Sequence, residues 1–166
     1  MEKMVSGGYL GSVIGQVLKG ACRAELFSAA CGKALLELPG FDMALVSAFL
    51  EGRSNPLSAV CKSQQDRDRL RLVVEMCVAR AAKMVAVMFA AVLEQTDAGK
   101  TLPVCIVAEG STFWKCEFYR RKIDEYLEVY AGKEHGREYY FVSAEDANLC
   151  GASAAVLLKG GVRDDQ

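Results

Sequence analysis

The feature that most constrains the fold of this chain is a short apolar run at residues 102–113, with the sequence LPVCIVAEGSTF. It is rich in β-branched residues, begins near Pro103 and ends near Gly110, features that favour a strand over a helix. We predict a buried strand that carries a ligand loop, because ligands of open α/β sheets bind beyond the carboxyl ends of the strands. The alternative is an ordinary strand-to-helix turn with Ser111 or Thr112 as its N-cap.

A second strand is predicted at residues 137–143, and residues 115–130 between the two strands have helical spacing. The apolar face of a final helix consists of Leu149, Ala152, Ser153, Val156 and Leu157. Strand, helix, strand and helix in this order predict a right-handed βαβ unit with parallel strands. The chain then leaves both strands at one rim of the sheet, at Glu109 and at Ser143.

The first two thirds of the chain are predicted to be helical. Residues 2–19 place five apolar side chains on one helix face: Leu10, Val13, Ile14, Val17 and Leu18. A helical connection at 21–39 is broken near Cys31-Gly32, and a helix over 41–51 starts with Asp42 as N-cap. Residues 64–94 form a long core helix, solvated at its start and buried on most sides later. The predicted fold class is α/β, helix-rich, with a C-terminal βαβα unit.

Four glycines lie within or at the mouth of the first predicted helix, at positions 7, 8, 11 and 15. Each costs roughly 1 kcal/mol relative to alanine in a helix interior. We expect the close approach of another element or of a ligand to offset that cost. Tight packing and ligand binding both remain open as explanations.

The composition indicates a single domain, residues 1–166, with a small molecule as partner. The formal net charge is -1, which argues against nucleic acid and against a membrane as partners. We expect a cytoplasmic location, because the residues after Met1 form no secretory signal. Seven cysteines form no C-x-x-C pair, so disulfides and zinc are both disfavoured. The only histidine, His135, falls in a polar turn and carries no catalytic hypothesis.

Several segments together resemble one family, the ATP-dependent hexokinases and glucokinases of the actin-like (ribonuclease H-like) kinase fold. The sequence EKMVSGGYLG at residues 2–11 is similar to the family's E-K-M-x-S-G-x-Y-L-G segment. Further similar segments follow in the family's order: LF at 26–27, residues 41–47, VARAA at 78–82 and VAEGS at 107–111. The resemblance runs from residue 2 to about residue 157. It implies a partial hexokinase large domain, roughly the C-terminal third of the catalytic unit.

The resemblance also implies roles for individual residues. Glu2 matches the family's glutamate that accepts hydrogen bonds from sugar hydroxyls, a task suited to an acceptor-only carboxylate. The residues that match nucleotide-binding positions are Gly7, Gly8, Ser47, Gly110, Ser111, Thr112 and Phe113. ATP and Mg²⁺ are the implied cofactors, held mainly by sequence that lies upstream in the family. The general-base aspartate lies upstream as well, so no catalytic residue and no metal ligand is assigned in this chain.

The implied function is that of the C-terminal segment of a hexokinase, which phosphorylates a hexose such as glucose at the 6-hydroxyl with ATP, in glycolysis. Such transfer depends on positioning and charge neutralisation, with a base to take the hydroxyl proton. We therefore expect the full protein to be an enzyme and the isolated chain to be inactive. The implied partners are the hexose, ATP and the N-terminal part of the kinase.

Two other functions stay open. One is a non-catalytic nucleotide- or sugar-binding or regulatory relative, favoured by Glu109 in place of the family's aspartate. It is also favoured by NLCGAS at 148–153 in place of the family's S-G-x-G-A-A. The other is a different sugar kinase of the same fold, since fold alone does not fix the substrate. Gly8 and Phe113 also depart from the family, which has a larger residue and a tyrosine there.

A sheet of two strands seldom stands independently. We therefore expect an open strand edge and an exposed apolar patch on the isolated chain. Both features predict self-association.

Overall fold

The structure is a computed structural model that describes residues 2–133, 135–144 and 146–160, apart from the side chains at positions 2, 3, 133, 148 and 158–160. Its helices are α1 (Glu2–Val5), α2 (Gly7–Arg23), α3 (Ala29–Leu36), α4 (Met43–Leu50), α5 (Pro56–Ala59), α6 (Gln64–Gln95), α7 (Ser111–Lys115), α8 (Glu117–Leu127) and α9 (Ala147–Gly160). Its strands are β1 (Val104–Val107) and β2 (Tyr139–Val142), and a π-helical turn, Glu128–Lys133, extends α8.

The predicted first helix is confirmed, but Ser6 divides it into α1 and α2. Ser6 is extended, with φ -66° and ψ 135°. The helical spacing buries Leu10, Ile14 and Leu18 on one face of α2. Val17, which was expected on the same face, is 43% exposed.

Close packing explains two of the glycines of α2. A Cβ atom at Gly11 would lie 2.5 Å from the Cα of Asp42 and 2.8 Å from the carbonyl oxygen of Phe41. A Cβ atom at Gly15 would lie 2.6 Å from the ring of Phe41. The segment that leads into α4 therefore rests directly on the α2 backbone.

Serine and aspartate side chains set the starts of α3 and α4. Ser28 accepts a hydrogen bond from the backbone N–H of Cys31 at 3.4 Å. The break in the 21–39 segment therefore lies before Ser28 and not, as predicted, near Cys31-Gly32. The predicted N-cap Asp42 is confirmed, since it accepts a hydrogen bond from the N–H of Leu45 at 2.7 Å.

Two ties hold α3 against the start of α6. The buried carboxylate of Asp66 accepts hydrogen bonds from the hydroxyl of Ser28 at 2.7 Å, from its N–H at 3.0 Å and from the hydroxyl of Ser63 at 2.8 Å. These bonds, that of the Ser28 hydroxyl first, hold the pKa of Asp66 below its usual value. Cys31 is joined to Cys61 in a disulfide, with Cα atoms 5.1 Å apart. The expectation that disulfides are disfavoured is wrong, because packing brings together two cysteines that are 30 positions apart.

The long helix α6 is confirmed and contributes to both apolar clusters of the core. Its buried residues are Asp66, Leu70, Val74, Val78, Ala81, Ala82, Ala86 and Leu93. The expectation of burial on most sides is wrong, since Val87, Met88 and Val92 are 48%, 39% and 56% exposed. Among the described helices, α6 is the one with the length and composition to cross a membrane, a property that core helices of soluble proteins share.

The two strands pair in parallel, as predicted, with Val104 opposite Tyr139 and Val107 opposite Val142. The prediction of a buried strand is wrong, because only Ile106 of β1 is buried. Side chains of a strand alternate between the faces of the sheet, and α6, α8 and the π-helical turn cover one face. The described residues contribute no third strand, so each strand also has an unpaired edge.

The uncovered face of the sheet is partly apolar. Cys105 is exposed, and Val107 and Tyr140 are 47% and 50% exposed. The predicted final helix is confirmed as α9, but residues 149–157 are all exposed, including Val156 at 70% and Leu157 at 76%. The expected open edge and apolar patch are therefore both present.

The remaining expectations for this region are confirmed in part. Of the aromatic positions predicted for the core, Tyr119 is buried, while Tyr126 and Tyr130 are half-buried. His135 is exposed in a turn, as predicted. Sequence reasoning gave Arg137 no role, yet its side chain is 1% exposed, donates to Glu94 Oε2 at 2.6 Å and joins the end of α6 to β2.

Candidate ligand cleft

The head of α2, the start of α4 and the loop after β1 enclose a cleft of about 710 Å³. Its apolar floor is formed by Val85 and Phe89 of α6 and Ile123 of α8. Backbone and small polar side chains line its walls: Ser6, Gly7, Gly8, Asp42, Glu109, Gly110, Ser111 and Thr112. The predicted ligand loop and the first two glycines of the first helix, Gly7 and Gly8, therefore meet in this cleft.

The loop after β1 depends on Gly110 for its shape. Gly110 has φ +102°, a conformation that residues with a Cβ atom rarely adopt, and no atom beyond its chain neighbours lies within 4 Å of where a Cβ atom would stand. Trp114 fixes the start of the loop, because its indole N–H donates to the carbonyl of Ala108 at 2.8 Å. The interpretation of Ser111 or Thr112 as N-cap is wrong: Gly110 is the N-cap of α7, and no side chain caps this helix.

Gly7 and Gly8 have different surroundings at the head of α2. A Cβ atom at Gly7 would overlap the hydroxyl of Thr112 and lie 2.8 Å from its Cβ. Gly7 therefore permits close packing of α2 on the loop after β1. A Cβ atom at Gly8 would meet only the hydroxyl of Ser6, at 3.8 Å, so Gly8 leaves space open in the cleft.

Ser47 lies outside this cleft, in a smaller neighbouring cavity of about 260 Å³ that Ser111, Thr112 and Lys115 also line. Its buried hydroxyl lies 2.7 Å from Glu51 Oε1 and 3.1 Å from the carbonyl oxygen of Lys115. The hydrogen bond from Ser47 lowers the pKa of Glu51. Ser47 thus ties α4 to α7, and its single hydroxyl proton is engaged within the protein.

Phe113 belongs chiefly to the core. It is 8% exposed, and its ring centroid lies 5.0 Å from that of Trp114 and 4.9 Å from that of Phe141. Only its small exposed part borders the cleft. The ring of Phe113, which is predicted to contact a nucleotide, therefore mainly packs in the core and supports the loop after β1.

Tyr119 and Asp42 line the cleft and were not singled out as site residues from the sequence. The hydroxyl of Tyr119 donates to the carbonyl oxygen of Val5 at 3.2 Å, and burial raises its pKa to about 12. No sequence pattern predicts this contact, because the two residues are 114 positions apart. The side chain of Glu2, the predicted sugar ligand, lies outside the described residues.

The chemistry of the cleft suits a flat, hydroxylated group better than a phosphate. Its described lining contains the acidic residues Asp42 and Glu109 and no lysine or arginine. Lys115 and Arg53 lie on the neighbouring smaller cavity. Within the described residues, no group of three or more His, Cys, Asp or Glu side chains is arranged to hold a metal ion.

Comparison with known proteins identifies the family. A search of the curated proteins found no match. The fold is similar to that of a solved hexokinase from Schistosoma mansoni complexed with glucose, with a TM-score of 0.69 and 18% sequence identity. The match covers 92% of this chain and 36% of that one, so the chain spans about a third of that hexokinase. The family model described as hexokinase matches residues 1–158, and the chain therefore belongs to the hexokinase family.

Proposed function

We propose that this chain is the C-terminal segment of a hexokinase catalytic unit that transfers a phosphoryl group from ATP to the 6-hydroxyl of a hexose, and that it supplies the adenosine side of the nucleotide site. The observation that carries the proposal is the meeting of Gly7 and Gly8 with Gly110, Ser111 and Thr112 in one cleft. These residues lie some hundred positions apart, and the hexokinase match spans both groups.

The cleft suits a nucleoside. The floor formed by Val85 and Phe89 offers apolar surface to a flat base, as small-molecule pockets commonly do. Gly110 and Gly8 leave backbone and open space beside it, and the hydroxyls of Ser111 and Thr112 are suited to hydrogen bonds with a base or ribose. ATP, when bound, supplies the phosphoryl group for transfer.

In this proposal the phosphates, Mg²⁺ and the general base belong to other sequence of a complete hexokinase unit. The absence of lysine and arginine from the described lining of the cleft supports this for the phosphates. Glu2 is the proposed sugar contact in this chain. Glucose is the ligand named for the Schistosoma hexokinase and supports a hexose as the substrate here. The proposed partners are therefore hexose, ATP and the remainder of a hexokinase unit, and the proposed location is the cytoplasm, which cell fractionation would test.

Titration of the ¹⁵N-labelled chain with ATP, followed by amide NMR shifts, tests this proposal. Saturable shifts are expected at Gly7, Gly8, Gly110 and Ser111. Gly8→Trp should fill the open space and weaken binding at least tenfold. Gly20→Trp is the matched control, since Gly20 is exposed in the same helix with open space around it. A folded chain without shifts at these amides up to millimolar ATP would overturn the adenosine assignment.

A second candidate, a non-catalytic nucleoside-binding relative, is favoured by the absence of basic residues from the described lining of the larger cleft. Joining the chain to the N-terminal part of a hexokinase separates the two functions. ATP-dependent phosphorylation of glucose by the joined protein supports the kinase, and a Glu2→Gln variant should then bind glucose more weakly. ATP binding without any phosphorylation supports the relative.

A further inference from the structure

The hydrogen bond between Tyr119 and Val5 lies between two residues with proposed ligand contacts. Glu2 is the proposed sugar contact, and Gly7 is a proposed nucleotide contact. Val5 is the last residue of α1, and the chain bends at Ser6 before α2 begins. The last carbonyl groups of a helix have no partner within the helix, and the hydroxyl of Tyr119 supplies one to Val5 at 3.2 Å. The bend is fixed on its other side by the N–H groups of Tyr9 and Leu10, which donate to the Ser6 carbonyl at 3.0 and 2.9 Å.

Two contacts on either side of Ser6 hold this part of the chain against the rest of the cleft. One is the close packing of Gly7 on Thr112, which sets its distance from the loop after β1. The other is the bond from Tyr119, which comes from α8 beneath the cleft. The ring of Tyr119 is 5% exposed and belongs to the main apolar cluster, so its hydroxyl is held in place by the core.

We infer that Tyr119 is a positioning residue, whose hydroxyl fixes the segment between Glu2 and Gly7 and thereby the spacing of the sugar-contacting and nucleotide-contacting groups. The inference rests on the proposed function for the identity of the two ligands. Tyr119 touches neither reacting group in this scheme and acts through the Val5 carbonyl. The hydroxyl of Tyr119 is protonated across the physiological pH range and able to donate, and burial raises its pKa further, to about 12.

Tyr119→Phe tests the inference, because it removes one oxygen atom and keeps the buried ring. Tyr126→Phe is the matched control: Tyr126 lies on the same helix, is half-buried and makes no hydrogen bond through its hydroxyl to the described part of the chain. We expect Tyr119→Phe to accelerate hydrogen exchange at the amides of residues 7–10. We also expect it to weaken ATP binding in the NMR titration by roughly 2- to 10-fold, the range for loss of one hydrogen bond.

The thermal midpoints of the two variants separate positioning from general destabilisation. Weaker ATP binding by Tyr119→Phe than by Tyr126→Phe, at equal midpoints, supports the inference. Unchanged exchange at residues 7–10, or equal ATP affinity of the two variants, overturns it while the proposed function stands. Failure of the wild-type chain to bind ATP overturns the proposed nucleotide site, and with it the nucleotide half of this inference.

Discussion

Two alanine substitutions in the same helix are predicted to change stability in opposite directions. Gly11 and Gly20 both lie in α2, and alanine is favoured over glycine in a helix by about 1 kcal/mol. Gly20 is exposed, and a Cβ atom there would have no neighbouring atom within 4 Å. Gly11 is buried, and a Cβ atom there would lie 2.5 Å from Asp42 Cα and 2.6 Å from its carbonyl carbon. Backbone atoms cannot rotate away as a side chain can.

The magnitudes follow from these surroundings. Gly20→Ala should raise the free energy of unfolding by about 0.5 to 1 kcal/mol. Gly11→Ala should lose about 3 kcal/mol, the upper end of the range for overpacking, offset by about 1 kcal/mol of helix propensity, for a net loss of about 2 kcal/mol. A chain of this size shifts its thermal midpoint by about 2 to 4 °C per kcal/mol. The midpoint should therefore rise by about 1 to 4 °C for Gly20→Ala and fall by about 4 to 8 °C for Gly11→Ala.

Circular dichroism melts, with urea unfolding to compare the m-values, measure both changes. Equal m-values show that the variants differ in stability and not in the extent of unfolding. If Gly11→Ala proved as stable as Gly20→Ala, α2 would not rest on the Phe41–Asp42 backbone. The close packing of Gly11 against Asp42, which places Asp42 in the wall of the cleft, would then be refuted.

Three further predictions concern the ties and the open surface. Reduction of the Cys31–Cys61 disulfide should destabilise the wild-type chain by about 3 to 4 kcal/mol, the value for a closed loop of about 30 residues. The stability of a Cys31→Ala/Cys61→Ala variant should not change with reductant. Equal melting curves of the wild type with and without reductant would contradict the disulfide. The Ser28 hydrogen bonds lower the pKa of Asp66 in the folded state, so their stabilisation is present above the unfolded pKa of about 3.9 and is lost as pH falls through the lower folded value. Urea midpoints should therefore fall more steeply below about pH 4 in the wild type than in Asp66→Asn. Parallel pH profiles of the two proteins would contradict stabilisation by the Asp66 carboxylate. Tyr140→Lys, on the uncovered face of the sheet, should reduce self-association of the chain in sedimentation velocity. A wild-type chain that sediments as a monomer at all concentrations would contradict self-association through that face.

Local chemistry in the sequence was sufficient to predict several elements. The spacing of Leu10, Ile14 and Leu18 predicted α2, and the carboxylate of Asp42 predicted the start of α4. The strand–helix–strand pattern predicted a parallel pair, since two parallel strands need a crossover connection. Each of these inferences depends on residues that are neighbours along the chain or on one element.

The errors concern contacts between distant segments. Burial of β1 depends on how many strands and helices cover it, which its own residues do not specify. The Cys31–Cys61 disulfide and the Tyr119–Val5 hydrogen bond join positions far apart in sequence, and no local pattern marks them. The prediction of a hydroxyl cap for α7 rests on the general preference of helix N-caps for hydroxyl side chains, whereas the residue that precedes the first helical residue is Gly110, which has no side chain to act as a cap.

Because the two strands of the small sheet are parallel, one rim of the sheet borders the cleft and the opposite rim does not. The chain enters β1 and β2 at the same rim and leaves both at the other, where Glu109 lies. With four residues in each strand and about 3.3 Å per residue, the rims stand about 10 to 13 Å apart. The exposed turn at His135 and Gly136 lies at the entry rim. A fluorescent or spin label attached at position 135 would therefore stay clear of the cleft, which makes this turn a suitable attachment site for distance measurements during ligand binding.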